Sequence, residues 1–253
     1  YTINFLKSSV SLIKKEIVNE EKYNLEVSKE NISNNPINIQ KIEIKDLSYN
    51  YPASENSVIE NLNFEFKKGK INTIIGSSGS GKTTLLNIIL GLIKVEKGSL
   101  TVNDKNFTNQ KLYENLKIGY VPQNIFLFDD TIKNNISFID ENINIDDALE
   151  RAANSSEILN FINSLPGRFE YRLGEKGSNI SGGQMQRIGL ARALYPDPDL
   201  IILDEFTSSV DLETEKKLME TLHKLKNDKL IIIISHREQT IKFSDNVLDL
   251  SKK

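Results

Sequence analysis

The chain has 253 residues, of which 38% are hydrophobic and 26% charged, a composition typical of a globular protein with one substantial α/β domain. Its 32 basic and 35 acidic residues are spread along the chain and give a net charge of −3. This argues against a nucleic-acid partner, because such proteins carry basic patches. The absence of cysteine excludes disulfide bonds and thiolate metal sites.

The first predicted element is an amphipathic helix over residues 3–17. Its apolar residues are alternately three and four positions apart, so they share one face. This helix either lies on its own domain or is the cytoplasmic end of a transmembrane helix that continues upstream, and Tyr1 in place of Met leads us to expect a longer chain. Residues 19–40 are rich in Asn, Ser, Glu and Lys and contain Pro36, a composition that predicts a linker. We therefore divide the chain into an N-terminal helix with linker, 1–36, and a domain, 37–253.

The domain alternates strands with helices, which predicts an α/β fold with a mostly parallel sheet. Apolar and polar residues alternate over 42–47 and 62–66, which predicts half-buried antiparallel strands. Buried strands are predicted at 70–75, 200–203 and 230–234, short strands in GSLTVND and KIGYVPQ, and helices at 85–92, 181–194 and 212–226. Short helices between 130 and 165, with the helix at 181–194, predict an inserted helical subdomain at about 124–195. No apolar run approaches the roughly 18 residues of a membrane span.

The loop GSSGSGKT lies between a predicted strand and a predicted helix, and it matches the pattern of a phosphate-binding loop. Its glycines let the backbone curl so that N–H groups point inward at phosphate oxygens. Lys82 adds a positive charge for the β- and γ-phosphates, and the Thr83 hydroxyl can bind Mg²⁺. The sequence therefore predicts a nucleotide site formed by Gly76, Ser77, Ser78, Gly79, Ser80, Gly81, Lys82, Thr83 and Thr84.

Two carboxylates close the apolar strand LIILDE, at the end of a parallel strand where ligands bind. Asp204 would hold Mg²⁺ through water, and Glu205 could orient and deprotonate a water molecule that attacks the γ-phosphate. An Asp-Glu pair after a strand is by itself more often a helix N-cap. Because it occurs together with a phosphate-binding loop, we favour the catalytic interpretation.

Four further residues are candidates for the same site. Gln123 follows the strand KIGYVP and could bind Mg²⁺ or sense the γ-phosphate, or be an ordinary loop residue. His236 follows LIIIIS at the same edge of the sheet and could form a hydrogen bond with the γ-phosphate. Tyr49 or Tyr51 could stack on an adenine ring, with core packing or an exposed turn as the alternatives. The other histidine, His223, lies in a charged helix and is predicted to be a solvated surface residue.

The segment NISGGQ opens the predicted helix at 181–194 and forms a second candidate anion site. Ser181, Gly182 and Gly183 would present backbone N–H groups at the positive end of the helix dipole. The nucleotide of the same chain is already held by its phosphate loop and by Asp204 and Glu205. We therefore expect the second site to cover the γ-phosphate of a second copy, so that two identical domains, head to tail, share two ATP sites.

The motifs GSSGSGKT, VPQ, ISGGQ, LIILDE, SSVD and SHR occur in this order, and over about residues 40–250 the chain resembles the nucleotide-binding domain of ABC transporters. The resemblance implies a RecA-like P-loop NTPase core with an antiparallel β-subdomain and an inserted α-helical subdomain, and it implies ATP and Mg²⁺ as cofactors. It also implies residue roles: a Walker B aspartate at Asp204, a catalytic base at Glu205, a Q-loop residue at Gln123, a switch histidine at His236, an adenine-stacking ring at Tyr51, a signature at Ser181–Gln184 and a D-loop with Ser209 and Asp211.

The segments FLFDDTIKNNI and GEKGSNISGGQ are similar to those of exporters within this family. Ile180 replaces the usual Leu of the signature, and Phe206 and Val210 differ from the residues usual around the D-loop. Tyr171 and Arg172 stand where exporters often carry Thr-Glu, in the segment that the resemblance places against the membrane domain.

Three functions are compatible with the resemblance. The first is the motor domain of an ABC exporter at the cytoplasmic face of a membrane, with the transmembrane domain in the same longer chain. The second is a separate ATPase subunit of an importer, and the third is a soluble ABC ATPase. The N-terminal helix and linker favour the first, and the third usually brings a coiled-coil insertion or a second ATPase domain. Lipids, glycolipids, peptides and drugs are all compatible substrates.

Overall fold

The structure is a computed structural model of the chain, and it describes residues 38–52, 57–106, 116–138, 145–207 and 209–251. The predicted N-terminal helix and nearly all of the predicted linker lie outside these residues. All described residues belong to the unit Pro36–Lys253. No helix in this part of the chain is long and apolar enough to cross a membrane.

The described elements are strands and α-helices with two short 3-10 turns, Arg168–Glu170 and Glu175–Gly177. The strands are β1 (Lys41–Tyr49), β2 (Ile59–Lys67), β3 (Ile71–Ile75), β4 (Lys97–Val102), β5 (Lys105–Asn106), β6 (Ile118–Val121), β7 (Leu200–Asp204), β8 (Leu230–Ile234) and β9 (Asn246–Asp249). The helices are α1 (Lys82–Ile89), α2 (Ile132–Ser137), α3 (Ile145–Ser155), α4 (Leu159–Ser164), α5 (Gly182–Leu194), α6 (Leu212–Leu225) and α7 (Glu238–Lys242).

Four strands form an antiparallel sheet in the order β2-β1-β4-β5. Ile42 of β1 lies opposite Phe66 of β2 and Val102 of β4, and all three side chains are buried. Successive side chains of a strand point to opposite faces, so the alternating pattern gives this sheet one apolar face. The predicted antiparallel strands are thereby confirmed.

Five strands form a parallel sheet in the order β6-β7-β8-β3-β9. The strands β7 and β8 have buried side chains on both faces, which explains their unbroken runs of Leu and Ile. Parallel neighbours end at the same edge, so the segments after β3, β6, β7 and β8 are brought together there. The predicted α/β fold is confirmed.

Two hydrophobic clusters cover the two faces of the parallel sheet. Ile201 and Leu203 belong to the cluster that includes residues of helices α2 to α6, whereas Leu200 and Ile202 belong to the cluster with α1 and the antiparallel sheet. Helices α2 to α5 all lie between β6 and β7 in the sequence. They occupy the region predicted as the helical subdomain, and its independence as a subdomain remains a prediction.

The helix after the phosphate-binding loop begins and ends three residues earlier than predicted. It ends at Ile89, and Leu92, predicted to be helical and buried, is 73% exposed. The reason is Gly91, whose φ of 73° is the left-handed conformation that ends helices. Within the helix, the prediction of burial is correct for Leu85, Leu86, Ile88 and Ile89.

Gly119 brings β6 close to the end of α5, and its replacement by Ala is expected to lower the free energy of unfolding by about 1–3 kcal/mol. A Cβ atom here would collide with the Ala193 carbonyl oxygen and would lie 3.0 Å from Pro198 Cγ. Equilibrium unfolding in urea measures the loss. Val247→Ala on the exposed edge strand β9 is the control, expected to change stability by less than about 0.5 kcal/mol. An equal effect of both variants contradicts the prediction.

Candidate active site

The loop between β3 and α1 curls around its own lysine. Lys82 Nζ donates hydrogen bonds of 2.8 Å to the carbonyl oxygens of Gly76 and Ser77. Gly81 has a φ of 96°, which favours glycine, and a Cβ atom there would lie 3.1 Å from the Val58 carbonyl oxygen. The loop thus places a positive charge where α1 begins, and the N-terminus of a helix itself favours anions.

Tyr51 is the tyrosine that lines the site. Its hydroxyl lies 3.1 Å from Oγ1 of the buried Thr84, and the residue as a whole is 43% exposed. Its ring contacts Tyr49 edge-on, with centroids 5.2 Å apart, and Tyr49 packs against the core. Of the two tyrosines that the sequence left open, Tyr51 therefore has the ring that can receive a base.

Asp204 ends β7 at the edge of the parallel sheet, and Glu205 follows it directly. Glu205 has a φ of 47°, and its N–H donates a 2.9 Å hydrogen bond to the Ile234 carbonyl oxygen of β8. Burial raises the pKa of Asp204, and the Glu205 charge raises it further, while the Lys82 charge acts in the opposite direction. A cation bound between the two carboxylates would relieve this repulsion.

The Glu205 carboxylate has a partner on each oxygen. Gln123 Nε2 donates to Oε2 at 2.7 Å, and His236 Nδ1 lies 3.3 Å from Oε1. These three residues follow the neighbouring strands β6, β7 and β8, which explains why they meet. The structure thus places Gln123 beside the carboxylates and not in a distant loop.

A cleft of about 650 Å³ joins these groups. Its lining consists of Tyr51, Val58, Gly76, Ser77, Ser78, Gly79, Gly81, Lys82, Thr83, Thr84, Gln123, Asp204, Glu205 and His236. Ser80, also predicted for the site, is not in this lining, because its Oγ is buried against Gly76. Val58 lines the cleft but was not predicted to do so, because an isolated Val has no distinctive sequence pattern. The cleft can bind phosphates, hold a cation through oxygen atoms and activate water with a carboxylate.

The second predicted anion site does not line this cleft. Ser181 caps α5: its Oγ accepts a 3.3 Å hydrogen bond from the Gln184 N–H, and Gln184 Oε1 accepts one of 2.8 Å from the Ser181 N–H. Gly182 and Gly183 pack against Ser209. A Cβ atom on Gly182 would lie 3.4 Å from Ser209 Cβ, and one on Gly183 would lie 3.2 Å from the Ser209 carbonyl oxygen. The start of α5 is therefore preformed by its own cap, outside the cleft of the same chain.

Asp211, predicted as part of the D-loop and of the nucleotide site, also lies outside the cleft. It caps α6, because its Oδ1 accepts a 2.9 Å hydrogen bond from the Thr214 N–H. This hydrogen bonding lowers the pKa of the Asp211 carboxyl. Its neighbour Ser209 donates an N–H hydrogen bond of 3.2 Å to Oε1 of Gln186 in α5. Residues 209–211 therefore connect the first turns of α5 and α6.

The prediction for His223 is wrong. The residue is half-buried, its Nε2 lies 2.9 Å from the Phe243 carbonyl oxygen, and its ring packs edge-on against the Phe243 ring. The reason is that the segment after α7 covers this end of α6, a contact that a charged helix does not reveal in its own sequence.

An ion pair beside His236 was not predicted from the sequence. Arg237 NH1 lies 2.7 Å from Oε2 of Glu215, a buried residue of α6. The sequence signals only the burial of Glu215, which stands three residues before Leu218 on the buried stripe of the helix, and not its partner.

Comparisons with known proteins agree with this geometry. A model of the family described as ABC transporter matches residues 59–208. The chain is 36% identical over 232 residues to an ATP-dependent lipid A-core flippase of Vibrio parahaemolyticus, a match that covers 91% of this chain and 38% of the flippase. A protein of the same name from Wigglesworthia glossinidia brevipalpis is 37% identical over 214 residues, which is 84% of this chain and 37% of that protein. The chain thus spans less than half the length of these curated relatives.

A solved structure of a bacterial Atm1-family ABC exporter with ATP bound matches with a TM-score of 0.76 at 28% sequence identity. The match covers 87% of this chain and 39% of the exporter chain. The family match extends from β2 to residue 208, so it contains the phosphate-binding loop and both carboxylates. From the motif order, the fold and these matches together, the chain belongs to the ABC transporter family.

Proposed function

We propose that the chain is the motor domain of an ABC exporter, in which ATP binding closes two copies head to tail and hydrolysis releases them. One observation carries the proposal: the phosphate loop and carboxylates form a cleft, while the capped start of α5 lies outside it. The names of the relatives and of the structural neighbour support an exporter over a separate importer subunit or a soluble ATPase.

The cleft residues fit a magnesium ion. Thr83 offers a hydroxyl, Asp204 a carboxylate and Gln123 an amide oxygen, and all three line the cleft. Oxygen atoms are the ligands that Mg²⁺ prefers, and it is usually bound by one or two carboxylates together with substrate phosphates. The described residues contain no dedicated cage of three or more His, Cys, Asp or Glu side chains, which agrees with that mode of binding. Mg²⁺ would neutralise charge on the β- and γ-phosphates.

Glu205 would be the general base for hydrolysis. Its carboxylate takes a proton from a water molecule whose oxygen attacks the γ-phosphorus, and the bond from that phosphorus to the bridging β-phosphate oxygen breaks. Gln123 and His236 orient the carboxylate through its two oxygens. Lys82 supplies positive charge to the phosphates, and Tyr51 stacks on the adenine.

The start of α5 would complete the site of a second copy. Ser181–Gln184 presents a helix N-terminus that has no phosphate in its own cleft, and helix N-termini favour anions. Two identical chains related by a two-fold axis would each place this segment on the γ-phosphate held by the other. ATP would then favour the closed homodimer, because it contacts both chains only in that state.

The membrane domain would dock on an exposed aromatic cluster next to α2. Phe126, Phe128 and Phe138 are 47–58% exposed and contact one another edge-on, with centroid distances of 5.3 and 6.0 Å. Arg192 lies 4.8 Å from the Phe138 ring centroid and donates a hydrogen bond to the Phe126 carbonyl oxygen. Exposed apolar patches often mark interaction sites. We propose that a transmembrane domain of the same longer chain covers this cluster, which would place the motor at the cytoplasmic face of the membrane.

Selectivity would reside in the membrane domain and not in the motor. The two relatives are named as flippases of lipid A-core. An amphipathic lipid is therefore the first substrate class to test.

ATP turnover per chain is expected to rise with protein concentration, because each site needs residues of a second copy. Phosphate release is measured across about a hundred-fold range of concentration that spans the monomer–dimer transition. Analytical ultracentrifugation at the same concentrations gives the fraction of dimer. A turnover per chain that stays constant while only monomer is present contradicts the shared site.

A further inference from the structure

Arg237, directly after His236, contacts three parts of the chain at once. Its NH1 donates to the carbonyl oxygens of Thr207 and Val210, at 2.5 and 3.4 Å, and lies 2.7 Å from Glu215 Oε2. One guanidinium therefore links the loop after β8, the carbonyl groups between β7 and α6, and the first turn of α6.

Glu215 is held on both carboxylate oxygens. Its side chain is 2% exposed, and while Oε2 faces Arg237, Oε1 accepts a 2.9 Å hydrogen bond from Oγ1 of the buried Thr240 in α7. A buried ion pair contributes little net stability, because desolvation offsets the attraction, but it restricts the geometry of its partners. Glu215 and Thr240 thus hold the Arg237 guanidinium in one position.

Ser209, directly before Val210, also contacts the start of α5. The Ser209 N–H donates to Gln186 Oε1 at 3.2 Å, and a Cβ atom on Gly183 would lie 3.2 Å from the Ser209 carbonyl oxygen. A continuous series of contacts therefore runs from Gly183 through Ser209 and the loop carbonyls to Arg237. The next residue towards the N-terminus is His236, which contacts the Glu205 carboxylate.

We propose that Arg237 and Glu215 are positioning residues that couple the two ATP sites of the dimer, an inference that rests on the proposed function. A phosphate of the partner that binds at the start of α5 shifts residues 209–211, and Arg237 passes this shift to His236 and Glu205. Neither Arg237 nor Glu215 lines the cleft. The pair therefore acts on turnover and cooperativity in the dimer and not on ATP affinity in the single chain.

Glu215→Gln tests the coupling, with Glu213→Gln as the matched control. Both glutamates lie in the first turn of α6, so both changes remove the same charge from the same end of the helix. Glu213, however, is 80% exposed and forms a surface ion pair with Lys217. We expect Glu215→Gln to lower kcat of the full chain by about tenfold and to reduce the Hill coefficient for ATP towards one. Affinity for ATP in dilute monomer stays within about twofold, and Glu213→Gln changes none of these values.

Thr240→Val is the second variant. It removes the hydroxyl that orients Glu215 and keeps the ion pair, so a smaller loss of kcat and of cooperativity is expected at unchanged ATP affinity. Thermal unfolding shows whether each variant folds. If Glu215→Gln does not fold, the kcat, Hill coefficient and ATP affinity of Thr240→Val test the inference instead. Values equal to those of Glu213→Gln, or a loss of kcat that is accompanied by an equal loss of ATP affinity, overturn the inference.

Dimer formation separates this inference from the proposed function. The hydrolysis-deficient Glu205→Gln variant is mixed with ATP and analysed by size-exclusion chromatography, with and without Glu215→Gln. If Glu205→Gln alone remains monomeric, the proposed function itself has failed. If both form the dimer and the Glu215→Gln single variant turns over ATP slowly, the inference is supported. If both form the dimer and turnover and cooperativity equal those of Glu213→Gln, only the inference is overturned.

Discussion

Replacing Glu205 by Gln is expected to lower ATP turnover by about 10²–10⁴-fold, the usual contribution of a general base. The amide has nearly the same shape and can still accept the 2.7 Å hydrogen bond that Gln123 donates to the carboxylate, but it cannot take a proton from water. ATP affinity should remain within about twofold, because the phosphate loop is unchanged. Phosphate release at saturating ATP and equilibrium nucleotide titration measure the two effects separately.

The same variant should accumulate as an ATP-bound dimer, since hydrolysis is the step that releases the two chains. Size-exclusion chromatography with ATP and Mg²⁺ detects it. Glu220→Gln is the control, because it removes an equal charge from an exposed position of α6 outside the cleft. If the Glu205 variant hydrolyses ATP as fast as this control, another group is the base.

The cleft is largely predictable from the sequence because each of its parts has a local signature. The loop at 76–83 is recognised by its glycines and lysine between a strand and a helix, and the apolar runs before Asp204 and His236 identify buried parallel strands. Parallel strands end at one edge of a sheet, so the residues that follow them converge without any further information. That rule correctly brings Gln123, Glu205 and His236 together.

Contacts between elements whose packing has no local signature are not predictable in this way. The Arg237–Glu215 pair depends on how α6 lies beside the loop after β8, and the contact of His223 with Phe243 depends on the same packing. Position in the chain leaves Tyr49 and Tyr51 both open and only the resemblance selects Tyr51, whose hydrogen bond to Thr84, more than thirty residues away, has no local pattern. In each case the local pattern allows several partners, and the tertiary fold selects one.

Replacing Lys82 by Ala is expected to lower ATP affinity by about 10- to 100-fold. Lys82 is the only Lys or Arg among the described residues that line the cleft, so no neighbouring cation replaces it. Hydrogen bonds to charged groups contribute about 1.5–3 kcal/mol, and each 1.4 kcal/mol corresponds to about tenfold in affinity. The change also leaves the carbonyl oxygens of Gly76 and Ser77 without the 2.8 Å hydrogen bonds that Lys82 donates. The partial negative charge of these oxygens then repels a phosphate.

Thermal or chemical unfolding with and without ATP distinguishes lost binding from lost folding. At a free ATP concentration of about 100 times Kd, bound ATP stabilises the unchanged protein by about 2.7 kcal/mol, whereas a variant with about 100-fold weaker affinity gains only about 0.4 kcal/mol. Without ATP the variant should unfold nearly like the unchanged protein, because Lys82 is only half-buried at the start of α1 and water can replace its hydrogen bonds to the loop. Lys70→Ala, exposed at the opposite end of β3, controls for the loss of one charge and should keep the full effect of ATP. Equal stabilisation by ATP in the Lys82 and Lys70 variants would show that the loop at 76–83 does not bind the nucleotide, because the affinity for a phosphate bound at that loop must depend on the charge of Lys82.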